Sequence, residues 1–337
     1  MQNRSFSFLI AIVILTGIGI IAGVNLIIQS ETKPVPDLST EKIPVIKQKS
    51  TEPEMVTQGT FISATSSGEL TAQSKIVATS TAQNEITAYA YLVGDVSTGK
   101  VYINSNSVNA FPVASMSKLV TAIVATNRFT PTTTIAIPEL STDIATDTSN
   151  LQVGEKFTLE EILQPLLLSS SNIAAEAIAS TKMSSTTATS TAHLNFLELM
   201  SSTAWEIGMP KAYFADPSGL DPHNQASARD IFVLAQYLYT SRPDILKITR
   251  TIHATIATTT THNSHEIDST HPFIIDPRFI GGKTGRTFEA GETMLTILNI
   301  GDKPIAFVVL HSRYGYRAFD TNVLIRKYVE LTAGKPE

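Results

Sequence analysis

The 337-residue chain has no cysteine, a single tryptophan and only 16% charged residues. The missing cysteine excludes a disulfide framework, a thiolate zinc site, a cysteine nucleophile and a cysteine-borne lipid anchor. Charge is scarce against a typical ~25%, the formal net charge is −5, and the lysines and arginines are scattered. That distribution argues against a nucleic-acid partner. Serine and threonine fill much of the remainder, about a fifth of the chain.

One long apolar run is present. Phe6 to Ile28, FSFLIAIVILTGIGIIAGVNLII, is broken only by small residues and Asn25. As a helix it would reach roughly 34 Å, enough for a hydrocarbon core of about 30 Å. It is longer than a secretory signal core and lacks a clean small-x-small cleavage site. Arg4 precedes it, while Glu31 and Lys33 follow. The positive-inside bias then leaves residue 29 onward on the extracytoplasmic side. Residues 1–28 are therefore expected to be a short N-terminus and a single-pass membrane anchor. Residues 29–84 mix charges, prolines and Ser/Thr/Ala/Gln text without an apolar period, the composition of a disordered tether.

A foldable domain is expected over 85–337, with a helical middle at about 125–270. ITAYAYLV (Ile86–Val93) and KVYIN (Lys100–Asn104) predict two strands around a turn. A helix is predicted from Ser115, with Leu119, Ala122, Ile123 and Thr126 on one face. Thr158 with Glu161 marks a capping box; a further helix follows Ser170-Ser171-Asn172, and another opens at Ser227. GETMLTILNI and KPIAFVVLH predict paired strands about Gly301-Asp302, and Asp320–Leu331 a closing helix. The Ser/Thr tracts 181–191 and 255–261 read as exposed loops. The order gives an α+β fold, with an antiparallel sheet assembled from both ends of the domain.

Four Ser-x-x-Lys matches occur, at Ser30, Ser39, Ser97 and Ser115. Only Ser115 opens an apolar helix, in FPVASMSKLVTAIVA, where i and i+3 share a face and Lys118 can reach the serine. A serine alcohol needs a neighbouring base, and a lysine serves when burial or a second cation lowers its pKa. Ser170-x-Asn172 places a hydroxyl and an amide at a helix junction. Lys283-Thr284-Gly285 occurs once, offering a cation and a hydroxyl to a carboxylate, with Gly285 allowing close backbone approach.

In this order the three motifs resemble the penicillin-recognising serine peptidases, and within them the low-molecular-mass D-alanyl-D-alanine carboxypeptidases. The resemblance runs from about Thr87 to Leu331 and includes ADPSGLD (Ala215–Asp221) and SARD (Ser227–Asp230). It implies a β-lactamase/transpeptidase-like fold and an acyl-enzyme on Ser115. Lys118 would be the base, Ser170 a proton relay and Asn172 an orienting group. Lys283, Thr284 and Gly285 would bind substrate, with Arg286 and Ser115 giving oxyanion-hole amides. The implied substrate is a peptidoglycan stem peptide ending in D-Ala-D-Ala, with covalent inhibition by β-lactams and no cofactor or metal.

Three residues depart from the family pattern: Ser171 stands where glycine is common, Arg286 where an aromatic or histidine is frequent, and His271 where asparagine is frequent. A DD-endopeptidase and a non-catalytic peptidoglycan binder remain open. A class A β-lactamase fits less well, because neither Glu198 nor Glu206 opens a Glu-x-x-Leu-Asn segment. His253, His262, His265 and His271 read as loop histidines rather than metal ligands.

Overall fold

Ile305 to Leu310 is a run of six buried apolar residues, which only a strand covered on both faces can hold. The computed structural model describes residues 85–139, 147, 149–182 and 189–333. The expected anchor (1–28) and tether (29–84) lie outside the described residues. Among those described, no helix is long and apolar enough to cross a membrane.

The strands are β1 (Ala90–Asp95), β2 (Val101–Ser105), β3 (Ala110–Pro112), β4 (Thr134–Ala136), β5 (Lys156–Thr158), β6 (Gln225–Ser227), β7 (His253–Ile256), β8 (His265–Asp268), β9 (Phe279–Thr287), β10 (Gly291–Ile300) and β11 (Lys303–Ser312). The helices are α1 (Ser117–Arg128), α2 (Leu159–Leu167), α3 (Asn172–Ala179), α4 (Thr189–Ile207), α5 (Ala228–Ser241), α6 (Pro243–Thr249) and α7 (Arg317–Thr332).

Five strands form one sheet in the order β2-β1-β11-β10-β9, with each neighbouring pair antiparallel. The two ends of the domain meet in it, as expected, because β1 pairs with β11 over Ala90–Asp95. One face carries Val93, Met294, Phe307 and Val309 against Leu324 and Tyr328 of α7. The other carries Leu92, Leu295, Ile297 and Val308 and merges with Leu119, Ile123, Ile162 and Leu166 from the helical side. Each fully buried aliphatic side chain contributes roughly 1.5–3 kcal/mol, so this second core welds the helices to the sheet.

The capping chemistry appears where the sequence places it. Thr158 and Glu161 form a reciprocal capping box on α2, and Ser227 with Asp230 forms another on α5. Other expectations shift. The first strand starts at Ala90 rather than Ile86, and the last helix starts at Arg317 rather than Asp320. The tract 255–261 is not all loop, since Thr255 and Ile256 belong to β7, which pairs with β8. Its side chains alternate, with Ile256 and Ile267 buried in the helical-side core and Ala254 packed against it, and further contacts tie the hairpin to the segment around β5. His265 Nε2 and Glu155 Oε1 lie 3.1 Å apart, both residues buried. His262 stacks on Phe157 at 4.4 Å.

Candidate active site

Ser115 lies in a tight 3-10 turn, Ala114–Met116, that leads directly into α1. Ala114 has φ +50°, in the left-handed region, which an alanine occupies only when its surroundings enforce it. Two close backbone approaches supply that constraint. A Cβ on Gly219 would sit 2.0 Å from the Ala114 carbonyl oxygen, and one on Gly285 would sit 2.9 Å from the Val113 carbonyl oxygen. Thr293 Oγ1 also donates to the Val113 oxygen at 2.9 Å. The nucleophile turn is thereby wedged between the 216–221 loop and strand β9.

Lys118 follows one helical turn later and is completely buried. Its Nζ lies 2.9 Å from Ser115 Oγ and 2.7 Å from Asn172 Oδ1, and it donates to the Ser218 carbonyl at 2.5 Å. Burial drives its pKa down to about 7, against the opposing charges of Asp216, Asp147 and Glu176. The ammonium sits in a cage of neutral oxygens, with no carboxylate bonded to it.

Ser170 carries the second left-handed backbone, φ +65°. Its hydroxyl accepts from Lys283 Nζ at 2.8 Å, which ties the helical side to β9. Burial, with Lys118 and Arg317 nearby, holds the Lys283 pKa well below its ordinary value. Thr284 Oγ1 is 3.3 Å from Thr270 Oγ1, and Thr270 N donates to the Leu168 carbonyl at 3.1 Å. Arg317, at the start of α7, donates to the Gly285 carbonyl at 3.0 Å. Arg286 is exposed, with its guanidinium 5.8 Å from the Tyr314 ring.

The seven residues singled out in the three motifs therefore come together, with Lys118 bonded to Ser115 and Asn172 and Lys283 to Ser170, while Arg286 follows them on β9 with an exposed side chain. Two of the departures acquire structural roles. Ser171 is the N-cap of α3: its hydroxyl accepts from Ala174 N and donates to Asp147 Oδ2 at 2.8 Å. His271 lies in the loop between β8 and β9 and is buried there. Its Nε2 bonds the Leu295 carbonyl at 3.0 Å, and its Nδ1 accepts from Phe273 N at 3.2 Å. Burial pushes its pKa down to about 3, so the ring is neutral with the proton on Nε2. Among the described residues no group of His, Asp and Glu is arranged to hold a metal ion.

Sequence reasoning missed the residues that build the cage behind Lys118. Asp216 Oδ1 accepts from Ser218 N, Ser218 Oγ and Gly219 N, each at 2.6 Å. Asn224 holds the same loop through Ala215 N and Asp216 N and reaches Ser117 Oγ at 3.0 Å. The Asp-Pro-Ser-Gly text does signal such a turn, but nothing in it says that a carbonyl faces Lys118. Asp147, Thr270 and Arg317 carried no sequence signal at all.

Residues 77–313 match the D-alanyl-D-alanine carboxypeptidase family, and the chain belongs to it. It is 29% identical over 259 residues to a D-alanyl-D-alanine endopeptidase of Pseudomonas aeruginosa, covering 74% of this chain and 79% of that one. An Escherichia coli D-alanyl-D-alanine endopeptidase is 26% identical over 272 residues, covering 75% and 80%. In three dimensions the chain is similar to the Streptomyces K15 DD-transpeptidase, with TM-score 0.65 at 23% identity, covering 72% of this chain and 97% of that structure. The D-alanyl-D-alanine carboxypeptidase of Mycobacterium tuberculosis gives 0.60 at 20%, covering 74% and 94%. The fold is the β-lactamase/transpeptidase-like one, and the chain is a serine DD-peptidase of the penicillin-binding class.

Proposed function

We propose that the protein is a D-alanyl-D-alanine carboxypeptidase that works through an acyl-enzyme on Ser115. The observation that carries this reading is the pair of hydrogen bonds linking Ser115 Oγ to Lys118 and Ser170 Oγ to Lys283 within one cleft. With a pKa of about 7, Lys118 is substantially neutral near neutral pH. It accepts the Ser115 proton as Oγ attacks the D-alanyl carbonyl. The backbone N–H groups of Ser115 and Arg286 would stabilise the oxyanion; removing one such donor typically costs ~10²–10³ in turnover. Ser170 passes a proton to the leaving amine. Water, activated by the same Lys118, then hydrolyses the ester and regenerates Ser115.

Substrate would lie along the outer edge of β9, which has no strand partner among the described residues, and pair with it as an added strand. Its terminal carboxylate would meet Lys283 and Thr284, which restores the charge that burial suppresses on Lys283.

A second reading, cleavage of cross-linked peptides, is supported by the relatives named endopeptidases. Product analysis by mass spectrometry separates the two. A carboxypeptidase releases D-alanine from a stem pentapeptide and leaves a cross-linked muropeptide intact, whereas an endopeptidase splits the cross-link. The run Phe6–Ile28 is proposed as the membrane anchor that presents this domain to extracytoplasmic peptidoglycan.

A further inference from the structure

One feature outside the catalytic cluster is a surface group of three aromatic rings. Tyr89, just before β1, is 63% exposed. Its ring meets Phe111 of β3 edge-on at 5.6 Å and His311 of β11 edge-on at 6.2 Å. Phe111 and His311 are 6.4 Å apart. Phe111 is half-buried against the helical-side core, and His311 is exposed. His311 has φ +52°. Strict alternation along β11 would send its side chain to the α7 face with Val309; the left-handed residue breaks that alternation and brings the ring beside Phe111. A strained non-glycine residue at a strand end, spent on an exposed ring, is an outlier that points to function.

The ledge lies close to the cleft. Phe111 precedes Ser115 by four residues on the strand that feeds the nucleophile turn. Ser312, next to His311, pairs with Glu292, which pairs with Arg286. Two strand spacings, roughly 10 Å, therefore separate His311 from the β9 position just past Lys283-Thr284-Gly285.

The direction of the substrate decides which of its parts arrives there, and this step rests on the reading proposed above. With the leaving carboxylate at Lys283 and Thr284 and the scissile carbonyl at Ser115 beside Gly285, the acyl portion continues toward Arg286 and Thr287. The bond cut is at the carboxyl end of the stem peptide, so the glycan is attached through the acyl side. Four acyl-side residues of a pentapeptide reach up to ~14 Å, which spans the interval.

We propose that the Tyr89–Phe111–His311 ledge is a sugar subsite that receives a pyranose ring of the glycan to which the acyl-side peptide is joined. The C–H bonds on one face of a pyranose are weakly positive and are attracted to the negative face of an aromatic ring. The phenol and imidazole add polar tips for sugar hydroxyls. The ledge makes the enzyme a reader of glycan-borne peptides rather than of free ones.

The test compares a disaccharide-pentapeptide with the same pentapeptide stripped of sugar. Wild-type protein is expected to favour the disaccharide form about tenfold in kcat/KM, through KM. Tyr89→Ala is expected to bring that ratio close to one, with fluorescent penicillin labelling of Ser115 reporting an intact site. Should Tyr89→Ala not fold, His311→Gly removes a ring while accepting the left-handed backbone. Equal efficiencies on the two substrates in wild type, or a variant that slows both equally, would overturn the subsite. If neither substrate turns over and penicillin leaves no adduct, it is the peptidase reading that fails. Retention on insoluble peptidoglycan then still tests the ledge: wild type retained and Tyr89→Ala released supports it, and equal retention rejects it.

Discussion

Lys283 Nζ donates to Ser170 Oγ at 2.8 Å, from a sheet strand to a helix-capping turn 113 positions earlier in the chain. This contact closes the cleft from both walls. It places a cation beside the hydroxyl proposed to deliver a proton to the leaving group, and it keeps a second amine close to Lys118.

Acylation should depend on Ser115 and on a lysine able to lose its proton. Intact protein is expected to gain one penicillin adduct by mass spectrometry, and Ser115→Ala none. Lys118→Ala should abolish the adduct, and Lys118→Arg should not restore it, because arginine stays protonated. The acylation rate should rise as pH increases through about 7, the Lys118 pKa, since the neutral amine is the working form. Glu176 raises that pKa by its charge, so Glu176→Gln should move the limb to lower pH. A limb that stays in place in Glu176→Gln, or an Arg variant acylating at the normal rate, would remove Lys118 as the base.

The carboxylate site should discriminate against a neutral end group. Hydrogen bonds to charged groups are worth roughly 1.5–3 kcal/mol net. Amidation of an acyl-D-Ala-D-Ala substrate should therefore lower kcat/KM about tenfold to a hundredfold. Thr284→Val should narrow the preference for the free acid. Equal rates on acid and amide would mean that β9 reads no carboxylate, and the endopeptidase reading would gain.

His271 should make the fold acid-sensitive. Its folded pKa is about 3 against an ordinary 6.5, so the unfolded chain binds the extra proton as pH falls. The stability tied to the neutral ring is fully present above about 6.5 and is lost progressively as pH falls toward 3. At pH 5 the loss is on the order of 2 kcal/mol. Urea midpoints measured from pH 8 to pH 4 should decline, and His271→Asn, which does not titrate, should flatten the decline. Parallel curves for the two proteins would assign the acid limb to other groups.

Ser171 should prove to be a structural cap. Ser171→Ala removes the bond to Ala174 N and one of the donors to Asp147. Burial pulls the Asp147 carboxyl pKa up, but its bonds to Ser149, Ile173 N and Ser171 outweigh that and hold it low. Losing the cap should cost ~0.5–2 kcal/mol, or several degrees in Tm, with glycine milder than alanine in the cap position. A Ser171→Ala protein as stable as wild type but inactive would make the hydroxyl catalytic instead.

The sequence by itself determined the parts whose physics is local. The capping box at Thr158, the helix opening at Ser227, the apolar strands β10 and β11, and the three-residue spacing that brings Lys118 to Ser115 each follow from a few consecutive residues, although Ser115 itself lies in the 3-10 turn ahead of α1 and not in the helix. The three motifs were legible because a nucleophile, its base and a carboxylate-binding strand need particular side chains at short fixed spacings. Tertiary structure decided the rest. Nothing near Ser218 announces that its carbonyl faces Lys118, because that contact joins residues 100 positions apart. The β7–β8 strands are only four residues each, and the hairpin is held by Ile256 and Ile267 in the core and by His265 against Glu155. His271 is a loop histidine that only the packed chain buries, and His311 turns toward Phe111 only through a left-handed backbone. Burial, which lowers Lys118 to about 7 and His271 to about 3, is a property of the packed chain. No spacing of residues along the sequence encodes it.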